Sequence, residues 1–321
     1  MRIFSNPNYD FVKWRWHAVV LSLAIVGAGV FTIVSRGGLP LGVDFTGGTV
    51  LILKFEKPTT EEAVRAAVAP LSGEAVVQQY GDPANNEVMV RLPLITATEE
   101  AMNLEQDSKR AEDAVRAANI GAFTVAGRDI VGPAIGKDLQ QKGIWATLTA
   151  LGGILIYIGL RFRFSFAIGA VVATFHDILV TLAFLVWFGY DISLNIVAAI
   201  LTIAGYSVND TIVVFDRVRE NQRTARREPL ESLVNHAVNQ TLGRTIITAG
   251  TTFLSVLALY LFGGEVLNGF AFSMLVGIIS GTYSTVFIAA AIAIFLSKQP
   301  PAHVGGKVPA EARPRRAKVG A

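Results

Sequence analysis

Cysteine is absent from the 321 residues, which excludes disulfides and thiolate-held metals. Charge is scarce as well. Asp, Glu, Lys and Arg make up 17% of the chain against 52% hydrophobic residues, and the mean hydropathy is +0.47. Soluble domains carry more charge and less apolar surface than this. The formal net charge of +3 is too small to suggest a nucleic-acid partner.

Long apolar runs are abundant. A spanning helix needs about 20 mostly apolar residues, and the sequence predicts six. They run from about His17 to Val34, Ile144 to Leu160, Phe164 to Phe188, Ile192 to Phe215, Thr245 to Phe262 and Leu267 to Leu296. The division that follows is an N-terminus (1–16), a first span (17–34), an extramembrane domain (35–142), a bundle of spans two to six (143–297) and a tail (298–321). The first span is longer than a signal-peptide core and no A-x-A-like site follows it, so it reads as an uncleaved anchor.

Orientation follows from Lys and Arg in the short flanks. Arg2, Lys13 and Arg15 precede the first span, Arg161 and Arg163 lie between the second and third, and Arg217 through Arg244 lie between the fourth and fifth. The loops at Tyr190-Asp191 and Gly263-Gly264-Glu265 have no basic residue. Both termini are therefore expected in the cytoplasm and 35–142 outside it, in the periplasm. The tail, rich in Pro, Gly, Ala and basic residues, reads as a solvated disordered segment, with attraction to anionic membrane lipid or another partner as the alternative.

Within 35–142, Thr49–Phe55, Ala75–Tyr80, Glu87–Leu92 and Phe123–Val131 have strand character. A helix follows Thr59, which is spaced with Glu62 as a capping box, and another covers Thr98 to Ala118. The order β-α-β-β-α-β predicts a small α+β ferredoxin-like domain. It has no cofactor loop, no His cluster and no nucleophile with a base, so a binding or mechanical domain is expected and not an enzyme. Gly47 and Gly48 suit a tight turn into the first strand, and Asp44 reads as a turn or interdomain polar contact rather than a catalytic acid.

Ionisable groups inside a span are costly and tend to face a bundle interior. Asp210 stands out, with Asn209 beside it, in Gly205-Tyr206-Ser207-Val208-Asn209-Asp210-Thr211. Burial opposes a carboxylate's charge and a nearby cation supports it, so a balanced site can exchange protons. Arg244, at the start of the fifth span, is the cation available. The blander readings are an interfacial Asp210 and a snorkelling Arg244. His176 and Asp177 form a second polar site, and their 100° offset on a helix predicts that only one faces inward. Gly205 suits close packing or a kink.

Several segments resemble one family. They are Leu41-Gly42-Val43-Asp44-Phe45-Thr46-Gly47-Gly48, Val131-Gly132-Pro133, Phe175-His176-Asp177, Ala204 through Asn221, and Thr241-Leu242-Gly243-Arg244. The chain resembles the SecD/SecF family of protein-export membrane proteins, within the RND superfamily. The resemblance implies an RND-like six-helix half with a small periplasmic domain in the bacterial inner membrane. It implies SecD as partner, the SecYEG translocon as the channel served, and YajC, YidC and the translocating preprotein as further contacts. In this family the proton-motive force helps draw out chains that SecA has driven in, protons being the coupling ion and no cofactor being held. The family's membrane carboxylate corresponds to Asp210 and its fifth-span arginine to Arg244. An RND-type transporter half for small molecules or lipids, and a non-energised translocon scaffold, are the alternatives.

Overall fold

The computed structural model describes residues 7–71, 75–81, 83–92, 101–225 and 227–297. The tail at 298–321 and the first turn of the expected Thr98 helix lie outside the described residues. Among the described residues six helices are long and apolar enough to cross a membrane. They are α1 (Phe11–Ser35), α5 (Pro133–Arg161), α6 (Phe164–Trp187), α7 (Leu194–Thr224), α8 (Leu230–Phe262), and α9 (Glu265–Ser284) continued by α10 (Ala290–Leu296). Between α1 and α5 come the short α2 (Val43–Thr46), β1 (Gly48–Phe55), α3 (Glu61–Val68), β2 (Val76–Gln79), a 3₁₀ turn (Pro83–Asn85), β3 (Glu87–Leu92), α4 (Ala101–Ala117) and β4 (Phe123–Val131).

The strands form one antiparallel sheet in the order β2-β3-β1-β4, with Leu51 opposite Val90 and Val50 opposite Asp129. This is the split βαβ arrangement expected. Leu51, Leu53 and Phe55 point to one face, where α3 and α4 cover them through Val64, Val68, Ala111 and Val115. The cap of α3 differs from the expectation. Thr60, not Thr59, receives the Ala63 N–H, while the Thr59 hydroxyl turns back to the Lys57 carbonyl. Adjacent threonines compete for one cap, and the backbone angle of Thr60 decides it.

Four helices begin earlier or end later than apolar length alone suggests. α1 starts at Phe11, α5 at Pro133 and α8 at Leu230, while α7 continues to Thr224. The added turns are polar or amphipathic rather than uniformly apolar. Leu230, Leu233, Val234, Ala237 and Val238 follow a helical period and are all buried. Pro133 stands at the first helical position of α5, where its missing N–H costs nothing.

α6, α7 and α9–α10 form the centre of the bundle, while α1, α5 and α8 are mostly exposed. Close approaches hold the centre together. A Cβ on Gly29 would run into the Ala183 side chain, and one on Gly169 would meet the Ala289 carbonyl oxygen at 2.6 Å. Small residues at such crossings are how membrane helices gain packing contact. Between α9 and α10 the chain makes one π-helical turn, Thr285–Ala289.

The sheet is bolted to the bundle by the segment before β1. Gly42 N–H donates to Ile192 O at 2.8 Å and Ile192 N–H to Pro40 O at 2.7 Å. Arg91 on β3 pairs with Asp191 and donates to Leu41 O at 3.3 Å. Asp44 Oδ2 accepts the Leu194 N–H at 2.8 Å, so a residue beside the sheet caps the first turn of α7. This is the polar contact expected of Asp44, and a side chain at Gly42 would be crowded, with its Cβ 3.0 Å from Ile192 O.

Candidate functional site: two carboxylates in the bundle

α7 carries polar groups on two faces, and each meets a different carboxylate. On the inner face Ser207 Oγ donates to Asp177 Oδ2 at 2.5 Å. From α9, Ser284 Oγ donates to the same oxygen and Ser280 Oγ to Oδ1, both at 2.7 Å. His176 Nδ1 lies 3.0 Å from Oδ1. Asp177 is fully buried and thus surrounded by four hydrogen-bonding partners from three helices. A carboxylate is kept in a dry interior only by such complete bonding. One turn on, Thr211 and Thr285 hydroxyls bond at 2.9 Å, with Thr285 opening the π-helical turn.

Asp177 faces the interior as expected, but His176 is not turned outward, against the expectation that only one of the two is drawn in. The imidazole swings back along the helix to reach its neighbour, and its side chain is only 9% exposed. Its Nε2 is buried and has no hydrogen-bond partner. The ring lies 6.2 Å from that of Tyr283, whose hydroxyl donates to Ala18 O on α1.

On the outer face Asp210 is half-buried. Its Oδ1 accepts from Thr245 Oγ1 of α8 at 2.9 Å. Its Oδ2 is buried and has no hydrogen bond. Arg244 precedes Thr245 on α8 and is exposed. Asn209 is exposed on the same side of α7. Asp210 and Arg244 are therefore brought together, but not as a direct ion pair, and they stand apart from the Asp177 cage. Gly205 is not a packing contact among the described residues, because a Cβ there would meet nothing within 4 Å.

Sequence reasoning missed the hydroxyls. Ser280 and Ser284 are four residues apart and Ser207 lies one turn before Asp210, so a helical-period search for small polar residues would have found them. Thr245 was in view only as a neighbour of Arg244. Among the described residues no group of three His, Cys, Asp or Glu side chains is placed to hold a metal ion.

Comparisons with known proteins converge. Residues 111–299 match the family described as "Protein export membrane protein SecD/SecF, C-terminal", and 35–59 match "SecD/SecF GG Motif". A Protein translocase subunit SecF from Rhodothermus marinus is 42% identical over 92% of this chain and 96% of its own. One from Escherichia coli O157:H7 is 39% identical over 90% and 88%. The crystal structure of SecDF from Thermus thermophilus, titled a translocon-associated membrane protein, is similar with a TM-score of 0.79 at 34% identity. That match covers 90% of this chain but 39% of the other, so the chain spans well under half of SecDF.

Proposed function

The chain belongs to the SecD/SecF family of protein-export membrane proteins as a SecF-type translocase subunit, and from that premise we propose that it assists protein translocation by coupling proton movement at Asp210 to motion of its sheet domain. The observation that carries this is the state of Asp210, a half-buried carboxylate with one oxygen held by Thr245 and the other unbonded, beside an exposed arginine. An unbonded carboxylate oxygen is a place for a proton to arrive. Arg244 cannot give up its own proton and stands as a fixed charge near the carboxylate.

The site opens toward the outside of this half-bundle, on the α7–α8 side. A second six-helix half, SecD, is the proposed partner there, with the SecYEG channel, YajC and YidC around the pair and the translocating preprotein as cargo. Both termini are placed in the cytoplasm of a bacterium and the sheet domain in the periplasm, in accord with the basic flanks. The coupling ion is the proton and no cofactor is invoked, and the chain acts as a non-enzymatic subunit. His176, Asp177 and Asn209 are supporting groups, the first two holding α6, α7 and α9 in register.

A single proton crossing 100 mV releases roughly 2.3 kcal/mol. Such a step biases a small hinge and does not haul a chain, so the motion acts as a ratchet. The deciding experiment is Asp210→Asn in membrane vesicles containing SecD, with proton entry and late-stage preprotein release measured together. The coupling reading requires both to fall to the level seen without a proton gradient. If both persist, a scaffold is the correct description, and if small-molecule efflux is lost instead, a transporter half is.

A further inference from the structure

Four arginines surround a cavity of about 730 Å³ at the end of the bundle remote from the sheet domain. The end of α5 supplies Arg161, the cap position of α6 supplies Arg163, and the last turns of α7 supply Arg219 and Arg223. Its size is within the range of about 300–1,000 Å³ typical of small-ligand sites. Arg161 is already occupied by Asp216, with Nη2 bonded to both carboxylate oxygens at 2.8 and 3.0 Å. Arg163, Arg219 and Arg223 have no carboxylate partner among the described residues, and Glu228 is the one acid in the wall.

α6 begins beside the cavity at Arg163, and its first turn has no side-chain cap. The floor is aromatic and closed. Phe215 meets Phe166 and Phe162 edge to face, at 4.9 and 6.0 Å between ring centroids.

The flank of the cavity is strongly apolar. Leu160 is 86% exposed and Phe164 78%, on either side of the Arg161–Arg163 loop, and Ile156, one turn earlier on α5, is 66% exposed. A soluble phosphate has no use for such a flank, whereas acyl chains running along α5 do. We propose that this cavity binds the phosphate headgroup of an acidic membrane phospholipid, its acyl chains lying along the exposed face of α5. Bound there, the lipid bridges the α5–α6 loop to the end of α7, the helix that carries Asp210.

The test uses the purified full chain with phosphatidylglycerol, phosphatidylcholine of the same acyl chains, and glycerol phosphate as the soluble arm. Retained adducts are read by native mass spectrometry and stabilisation by thermal unfolding in detergent. Phosphatidylglycerol is expected to be retained about tenfold better than phosphatidylcholine, and R163Q/R219Q/R223Q to remove that preference. Arg227→Gln, an exposed arginine outside the cavity, is expected to leave it intact. Equal retention of both lipids overturns the proposal. So does an equal loss with Arg227→Gln, which would mean diffuse surface charge. Stabilisation by glycerol phosphate matching that by the lipid also overturns it. Should the triple variant fail to purify, Arg219→Gln alone is expected to lower the preference measurably, and an unchanged preference there counts against the site.

Discussion

Thr245 gives its hydroxyl hydrogen to Asp210 across the α7–α8 contact at 2.9 Å, while the opposite oxygen of that carboxylate has no partner. The bond sets the direction in which the carboxylate can act. Oδ1 is engaged within the chain and Oδ2 is the oxygen free to receive a proton. Thr245→Val keeps the shape and removes the donor, at a cost of about 1 kcal/mol or less to the fold. Proton-coupled export in SecD-containing vesicles should become weaker but not vanish, whereas Asp210→Asn should abolish it with normal amounts of protein in the membrane. Equal losses from both would mean that Thr245 does more than orient the carboxylate.

The inner carboxylate should behave in the opposite way. Asp177→Ala strands Ser207 and Ser280, whose only hydrogen bonds in the cage end on Asp177. Ser284 is less affected because Gly281 O is also within its reach at 3.2 Å. Stranded buried hydroxyls cost roughly 1–3 kcal/mol each, so the unfolding temperature in detergent should fall sharply. Asp177→Asn keeps an acceptor oxygen, and serine hydroxyls can rotate to accept from its amide. It should lose less stability than Asp177→Ala. A destabilisation no larger for alanine than for asparagine would show that the cage does not hold the three helices together.

These two carboxylates mark how far the sequence could be read. The six spans and the β-α-β-β-α-β order were legible because apolar length and strand alternation are local signals. Asp210 and Arg244 were legible because charge inside a span is rare. The division of roles was not. Nothing in Phe175-His176-Asp177 indicates that the imidazole folds back onto its neighbour, since that depends on the Tyr283 ring and on serines more than 100 residues away. The early starts of α5 and α8 were hidden for a related reason. The first turns are largely polar in α5 and amphipathic in α8, and an apolar-length criterion registers neither.

Glycines separate packing from function. A Cβ at Gly169 would sit 2.6 Å from Ala289 O and 3.4 Å from Ala293 N, both backbone atoms that cannot turn aside. Gly169→Ala should therefore destabilise the chain by about 1–3 kcal/mol, as overpacking does. Gly205→Ala should leave the unfolding temperature of the isolated chain unchanged, because open space surrounds that position. If Gly205→Ala impairs export or association only when SecD is present, the α7–α8 face is where the second half packs. Destabilisation of the isolated chain by Gly205→Ala would contradict the open face.

Arg91 and Asp191 join the sheet to the loop that precedes α7, and Asp44 caps that helix about 24 Å from Asp210 at 1.5 Å per residue. Burial pushes the Arg91 guanidinium below its usual value, yet arginine stays protonated throughout the neutral range. A lowered base weakens the folded state while it is charged, and relief comes only as pH rises through the folded value. The joint's stability is therefore expected to be flat between about pH 6 and 9. Asp191→Ala leaves a half-buried cation with the Leu41 carbonyl as its remaining acceptor and should cost about 1–3 kcal/mol. R91M/D191L removes both charges and should recover most of that stability. If the joint carries α7 movement to the sheet, the double variant will fold normally yet export poorly, with proton entry at Asp210 intact. Full export by the double variant would assign the transmission to the Gly42–Ile192 backbone bridge and the Asp44 cap, and a Gly42→Ala variant, crowded at 3.0 Å against Ile192 O, would then be the one to show the loss.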